Sequence, residues 1–272
     1  MKIRFEEMRW PEIEEVLKKP NVVILPIGAT EQHGRHLPVN FDTYFAVHYS
    51  KIVAKRVTDE HNICVLIAPP IPYGEASGIP PFKRLLPGTI SISLDTVIRL
   101  VEEVVRSLVV QGFKNILIFN GHKENAEAIA VALRKVNLEF KDAGLFATSS
   151  LLLATEKWAE LKKGGRADQG HAGERETAIA MAIEPENVKC DEVYEGSHVI
   201  SLPAKYATPL AREMVFYNSR LGGVRDSGVH LENPCVATKA AGEKIIEAVV
   251  DELSEIVLAI AKSEDMTHKE KV

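Results

Sequence analysis

The stretch NVVILPIGATEQHGRHLPVNFD, residues 21–42, decides the reading of the fold. Its first part, NVVILPIG at 21–28, is a β-branched apolar run closed by glycine, the pattern of a buried strand. Directly behind it stand Glu31, His33, His36 and Asp42, four residues able to ligate a metal, before a helix-like segment TYFAVHYSKIVAKRV opens at 43. A buried strand that empties into carboxylates and imidazoles places polar chemistry at a strand's carboxyl end. That is where open α/β sheets bind ligands.

The same alternation continues outward. NICVLIAPP at 62–70 reads as a strand stopped by prolines. SLDTVIRLVEEVVRSLVVQG reads as an amphipathic helix with Ser93 or Asp95 as its N-cap and Gly112 past its end. NILIFN at 115–120 is a third strand, NAEAIAVALRKVNLEF the helix after it, and GLFATSSLLL at 144–153 a fourth strand. Residues 154–170 read as irregular, GERETAIAMAI at 173–183 as a helix, and 238–263 as a long closing helix with a frayed tail at 264–272. Strands alternating with helices predict an α/β fold, a mainly parallel sheet flanked by helices on both faces. No linker or repeat divides the chain, so one domain over 1–272 is expected.

Composition narrows the function. The 272 residues are 46% hydrophobic, enough for one substantial core, and carry a net charge of −5. That balance argues against a nucleic-acid partner. No apolar run approaches the roughly 20 residues of a membrane-spanning helix, and the start MKIRFEEMRWPEIEEV does not read as a signal peptide. Cys64, Cys190 and Cys235 are odd in number and widely spaced, as reduced thiols of a cytoplasmic protein would be.

Three clusters carry the candidate chemistry. In extended chain, residues i and i+2 face one side, so Glu31 and His33 can reach one point. NGHKEN repeats the pairing with His122 and Glu124 just after the third strand. Asp42 adds a carboxylate whose two oxygens could bridge two metals, or could cap the helix that follows. Nitrogen and oxygen ligands without thiolate suit Zn²⁺ or Mn²⁺, with Fe²⁺ also admitted. The third cluster, GHAGERET, places His171 before a helix and Glu174 and Glu176 in its first turn, where acids also serve merely to offset the helix dipole. An imidazole beside a metal site suits acid–base work near neutral pH. His36 reads as a donor behind the ligands. The Gly- and Pro-rich loop 69–90 is expected to shape the pocket, with Tyr73, Glu75, Ser77 and Lys83 as contacts, while Lys123 and Glu174 are further substrate candidates.

LPIGATEQHGRHLPVNFD, PGTIS, NGHKENA, HAGERET and GVHLENPCVATKAAGE, in this order from about residue 22 to about 245, resemble the creatininase (creatinine amidohydrolase) family. The resemblance implies a single α/β domain, a homohexamer and two divalent metals acting on a small-molecule substrate. It implies Glu31 and His122 on one metal, His33 and Glu124 on the other, Asp42 between them, and His171 as catalytic histidine with Glu176 facing the metals or the attacking water. Many relatives have glycine at the position of Glu124, which leaves Glu176 as the alternative ligand. The implied reaction is hydrolysis of a cyclic amide or amidine C–N bond, with backbone N–H groups near Gly121 steadying the oxyanion and His171 protonating the departing nitrogen.

The departures bear on the substrate. Phe41 stands where relatives often carry threonine, GIPPFKRLLPGT has no histidine, and GGRADQGH has no tryptophan, Trp158 lying well upstream. These count against creatinine itself. The alternatives are a formamide hydrolase of flavin or deazaflavin biosynthesis, with Lys83, Arg84, Arg166 or Arg175 for a phosphate, and a ring-opening hydrolase of a cyclic polyol-ketone. An alternative of another class is a non-catalytic assembly protein that keeps metal for structure.

Overall fold

The computed structural model describes residues 2–76, 87–164, 170–193 and 233–269. Four strands, β1 (Asn21–Ile27), β2 (Cys64–Ile67), β3 (Asn115–Asn120) and β4 (Gly144–Ser149), form one all-parallel sheet in the order β2-β1-β3-β4. Parallel neighbours need crossovers. These contain α2 (Phe41–His61) after β1, α3 (Leu94–Val110) after β2 and α4 (Ala126–Glu139) after β3.

Alternation along the strands sorts the core into two layers. Ile24 lies in register with Ile67 and Leu117, and all three join one cluster with Phe45, Tyr49 and Val53 of α2. The helices α5 (Thr155–Leu161), through Trp158, and α6 (Glu174–Ile183), through Ile179, pack into the same layer. So does the C-terminal helix Lys239–Lys269, through Ile245, Val249 and Leu253. Val23, Leu66 and Ile116 face the other way, onto Val97, Val101 and Val105 of α3, Ala128 and Ile129 of α4, and Val16 of α1 (Trp10–Leu17). The four-residue spacing on α3 is the stripe that a helix buries against a sheet. Each such aliphatic side chain contributes roughly 1.5–3 kcal/mol on burial.

The expected architecture is therefore present, with shifted boundaries. β2 ends at Ile67, short of 70, because Pro69 and Pro70 bring no N–H to a ladder. β4 ends at Ser149, where the chain turns, instead of running to 153. The stretch 154–170, expected to be irregular, contains α5, which is pinned by the buried Trp158. Ser93, not Asp95, caps α3, accepting from the Thr96 N–H. The closing helix extends through Lys269 rather than ending at 263. Among the described residues, no helix is long and apolar enough to cross a membrane.

Candidate metal centre

β1 has β2 on one side and β3 on the other, so the chain reverses direction across the sheet at the β1/β3 seam. The crevice beyond the carboxyl ends of two such strands is the usual ligand site of a doubly wound sheet. Glu31 and His33 leave β1 there, and His122 leaves β3. Asp42 enters from the first turn of α2, and Glu176 from the first turn of α6.

Two glycines let these parts meet. A Cβ on Gly28 would fall 2.4 Å from the Thr43 nitrogen, and one on Gly121 would fall 2.2 Å from the Asp42 carbonyl oxygen. Both strand ends thus press against the first turn of α2. The partly positive end of that helix favours the Asp42 carboxylate.

Asp42 is 2% exposed and sits between two imidazoles. Its Oδ1 lies 3.0 Å from Nε2 of His33, and its Oδ2 lies 2.9 Å from Nδ1 of His122. Glu31 Oε2 is 3.3 Å from the same Nδ1 of His122, and Glu176 Oε2 is 3.9 Å from Nε2 of His33. Ligand atoms of Glu31, Asp42 and His122 lie within 4.8 Å of one another, as do those of His33, Asp42 and Glu176. Asp42 belongs to both groups, so its helix-cap reading falls away: Asn40 holds the N-cap position, and Asp42 is inside the helix.

The outer nitrogen of each imidazole is tied to a backbone carbonyl. His33 Nδ1 donates to the Glu31 oxygen at 3.0 Å, and His122 Nε2 donates to the Glu75 oxygen at 2.7 Å. A proton fixed on the outer nitrogen leaves the inner one for a cation. This donor set fits a pair of divalent ions: two oriented imidazoles, a shared carboxylate and a further carboxylate on either side.

Protonation agrees with that fit. Burial pushes the Glu31 carboxyl up to about 8, against the pull of His122 and His33. Burial likewise carries Glu176 up to about 7. Burial opposes charge on His33, but Asp42, Glu176 and Glu31 outweigh it and raise it to about 10. Burial would raise Asp42, yet the two imidazoles hold it well below the usual carboxylate range. Without cations, the cluster retains protons where cations would bind.

His171 stands over this group. Its ring lies 4.5 Å from that of His33, centroid to centroid, and its Nδ1 is 3.7 Å from Glu31 Oε2. Its Nε2 meets Gln32 twice, at 2.6 Å from the main-chain oxygen and 2.9 Å from the side-chain nitrogen. Burial, then the neighbouring His33, pushes His171 down to about 3, so the ring is neutral near pH 7. The next residue, Ala172, has φ +51°, a left-handed conformation that costs a non-glycine residue about 1 kcal/mol or more. Its N–H donates to Glu176 at 2.7 Å, linking the turn that carries His171 to the acid.

Several expected site residues are placed elsewhere. Residues Lys123–Asn125 form a short 3₁₀ turn, so the chain after His122 is not extended, and Glu124 does not share the inner face. Its half-exposed carboxylate lies 3.4 Å from Nε2 of His122, the nitrogen turned away from Asp42. Glu174 is buried and accepts from the Lys163 and Gly164 N–H groups, tying that turn to α6. Of the backbone N–H groups near Gly121 expected to steady an oxyanion, that of Gly121 donates to the Ile27 oxygen at 2.8 Å and that of His122 to Asn120 Oδ1 at 3.1 Å. Arg175 is buried against the Ser150 and Leu153 oxygens, not at a phosphate. Tyr73 and Lys123 are exposed. His36, 1% exposed, bonds Thr177 at 2.9 Å and so braces α6 beside Glu176. Ser77, Lys83, Arg84 and Arg166 lie outside the described residues. The motif reading missed Gln32, whose signal was its place between two ligand candidates, and the Glu75 carbonyl, for which a sequence carries none.

Comparison with known proteins agrees with this fold. A family model for creatinine amidohydrolase covers residues 6–257. A mycofactocin precursor peptide peptidase of Mycobacterium ulcerans (strain Agy99) is 35% identical over 236 residues, 85% of this chain and 82% of the relative. A creatinine amidohydrolase of Pseudomonas putida is 30% identical over 209 residues, 70% of this chain and 75% of the relative. A solved Mn creatininase superposes with a TM-score of 0.76 at 24% identity, over 97% of this chain and 99% of that one. The chain belongs to the creatininase family of metal-dependent hydrolases.

Proposed function

We propose that this protein hydrolyses an amide-type C–N bond with two divalent cations, Zn²⁺ or Mn²⁺, held over the β1/β3 seam. Glu31 and His122 would hold one ion and His33 and Glu176 the other, with Asp42 within reach of both. The observation that carries this reading is the division of the Asp42 carboxylate between two imidazoles, each fixed from behind by a carbonyl. Such ions lower the pKa of water towards about 7 and polarise a carbonyl as Lewis acids.

The chain supplies the rest. His171, neutral and held at Nε2 by Gln32, takes up on its Nδ1 side the proton lost by the attacking water and returns it to the departing nitrogen. Glu176, steadied by the Ala172 N–H, keeps its carboxylate aimed at His33. Two different amides fit this chemistry. The cyclic amide or amidine of a creatinine-like substrate is the first. A peptide C–N bond is the second, favoured by the 35% identity to a precursor peptide peptidase.

A substrate panel tests the reading. Metal-loaded protein is incubated with creatinine, a short peptide, a formamidopyrimidine and an inosose-type ketone, and products are resolved by mass spectrometry. Amine release from creatinine or the peptide is expected. Ring opening of the ketone with every amide left intact would overturn the assignment to C–N bonds.

A further inference from the structure

Asn125, the last residue of NGHKEN, is fully buried; its N–H donates to the His122 oxygen at 3.1 Å, while its side chain bonds no side chain of the proposed ligands among the described contacts. Its side chain spans two backbone segments. Nδ2 donates to the Gly28 oxygen at 2.9 Å, and Oδ1 accepts from the Glu75 N–H at 3.2 Å. Glu75 is the residue whose carbonyl takes the His122 Nε2 proton at 2.7 Å.

We infer that Asn125 is a positioning residue for His122, acting through the main chain of Glu75. The segment around Glu75 has no regular secondary structure of its own. Among its described contacts are the Ile92 N–H on the Gly74 oxygen at 3.0 Å, Ser91 Oγ accepting from the Ala76 N–H at 2.9 Å, and Asn125 on the N–H of Glu75 itself. Asn125 is in turn anchored on Gly28, whose close contact with Thr43 fixes it against the turn bearing Asp42. One amide therefore ties the acceptor behind His122 to the frame in front of it. The ring is held at both nitrogens, Nε2 on Glu75 and Nδ1 facing Asp42 and Glu31.

The packing leaves Asn125 little freedom. A Cβ on Gly74 would lie 2.5 Å from Asn125 Oδ1 and 2.9 Å from its Nδ2. Gly74→Ala thus dislodges the same amide from the opposite side while leaving Asn125 in the chain. A partner behind a ligating histidine typically changes metal affinity 10–100-fold when removed. Asn125 is one step further back and shares its task with Ser91, so the lower end is expected.

The consequence for metal binding rests on the two-cation reading, but the positioning does not, and the experiment separates them. In histidine-labelled protein without metal, the Hε2 proton of His122 is followed by NMR for exchange with water. Zinc affinity is then measured by chelator competition. Wild type is expected to show a slowly exchanging, downfield Hε2. Asn125→Ala and Gly74→Ala should each speed that exchange at least tenfold and weaken zinc about tenfold. Folded variants with wild-type exchange and wild-type affinity would overturn the inference. An unprotected Hε2 in wild type would overturn it with no variant needed, which keeps the test decisive if both variants fail to fold. Protected Hε2 in a wild type that binds no zinc would uphold the positioning and sink the metal reading.

Discussion

Oδ2 of Asp42 lies 2.9 Å from Nδ1 of His122, which leaves Oδ1 turned the other way, towards a second imidazole. Each oxygen of this carboxylate thus pairs with its own imidazole, and under the proposed function each would face its own cation.

Glu176 and Glu124 should separate cleanly. Glu176→Gln is expected to reduce bound metal from two ions to one and hydrolysis by about 100-fold or more. Glu124→Gln, altering a half-exposed group on the far side of His122, should keep both ions and shift stability by no more than about 0.5 kcal/mol. Metal analysis by mass spectrometry together with thermal melts reads both. Loss of an ion in Glu124→Gln alone would reverse the assignment.

His171→Ala should keep both ions and lower kcat by about 10²–10⁴-fold, the usual size of a lost proton-transfer group. Full turnover in that variant would remove the acid–base role. Loss of metal would show that His171 ligates, as its approach to Glu31 and His33 also permits.

Metal uptake should release protons. His33 is held up to about 10 and Glu31 up to about 8 without cations, so at pH 7 an incoming ion competes with protons. Affinity is expected to rise with pH through 7–10, and calorimetry in buffers of different ionisation enthalpy should show the release. The stability of the metal-free protein follows the same sign. Folded His33 keeps a proton that the unfolded chain gives up above about 6.5, so that contribution is complete below that pH and fades as pH climbs to about 10. A metal-free protein that grows more stable between pH 7 and 10 would contradict it.

Gly121→Ala should damage the site before the fold. The added methyl would lie 2.2 Å from the Asp42 carbonyl oxygen, so the first turn of α2 must retreat. Overpacking of this kind costs about 1–3 kcal/mol. The expected result is a folded protein of lower melting temperature with at least tenfold weaker metal binding. Wild-type affinity would show that the turn adjusts without moving the Asp42 side chain.

What could be read from the sequence follows local physics. β1 and β3 announce themselves as β-branched runs, and α3 through Val97, Val101 and Val105 at helical spacing. Glu31, His33 and His122, which the sequence offers as ligand candidates at strand ends, are brought together beyond β1 and β3, because polar side chains at buried strand ends have few other uses. At Glu124 the i+2 spacing implies extended chain, whereas the structure has a 3₁₀ turn that leaves its carboxylate beside the far nitrogen of His122. α5 hides because it is seven residues long and Trp158 alone is buried along it. The contact between Gln32 and His171 joins positions 139 apart, and the carbonyl behind His122 belongs to the backbone, so no residue type encodes either.

The most direct measurement is anomalous diffraction from crystals of the metal-supplied protein. Two peaks are expected on either side of the Asp42 carboxylate, one reached by Glu31 and His122, the other by His33 and Glu176. A single ion that does not touch Asp42, or no stoichiometric ion in protein shown to be metal-supplied, would contradict the account.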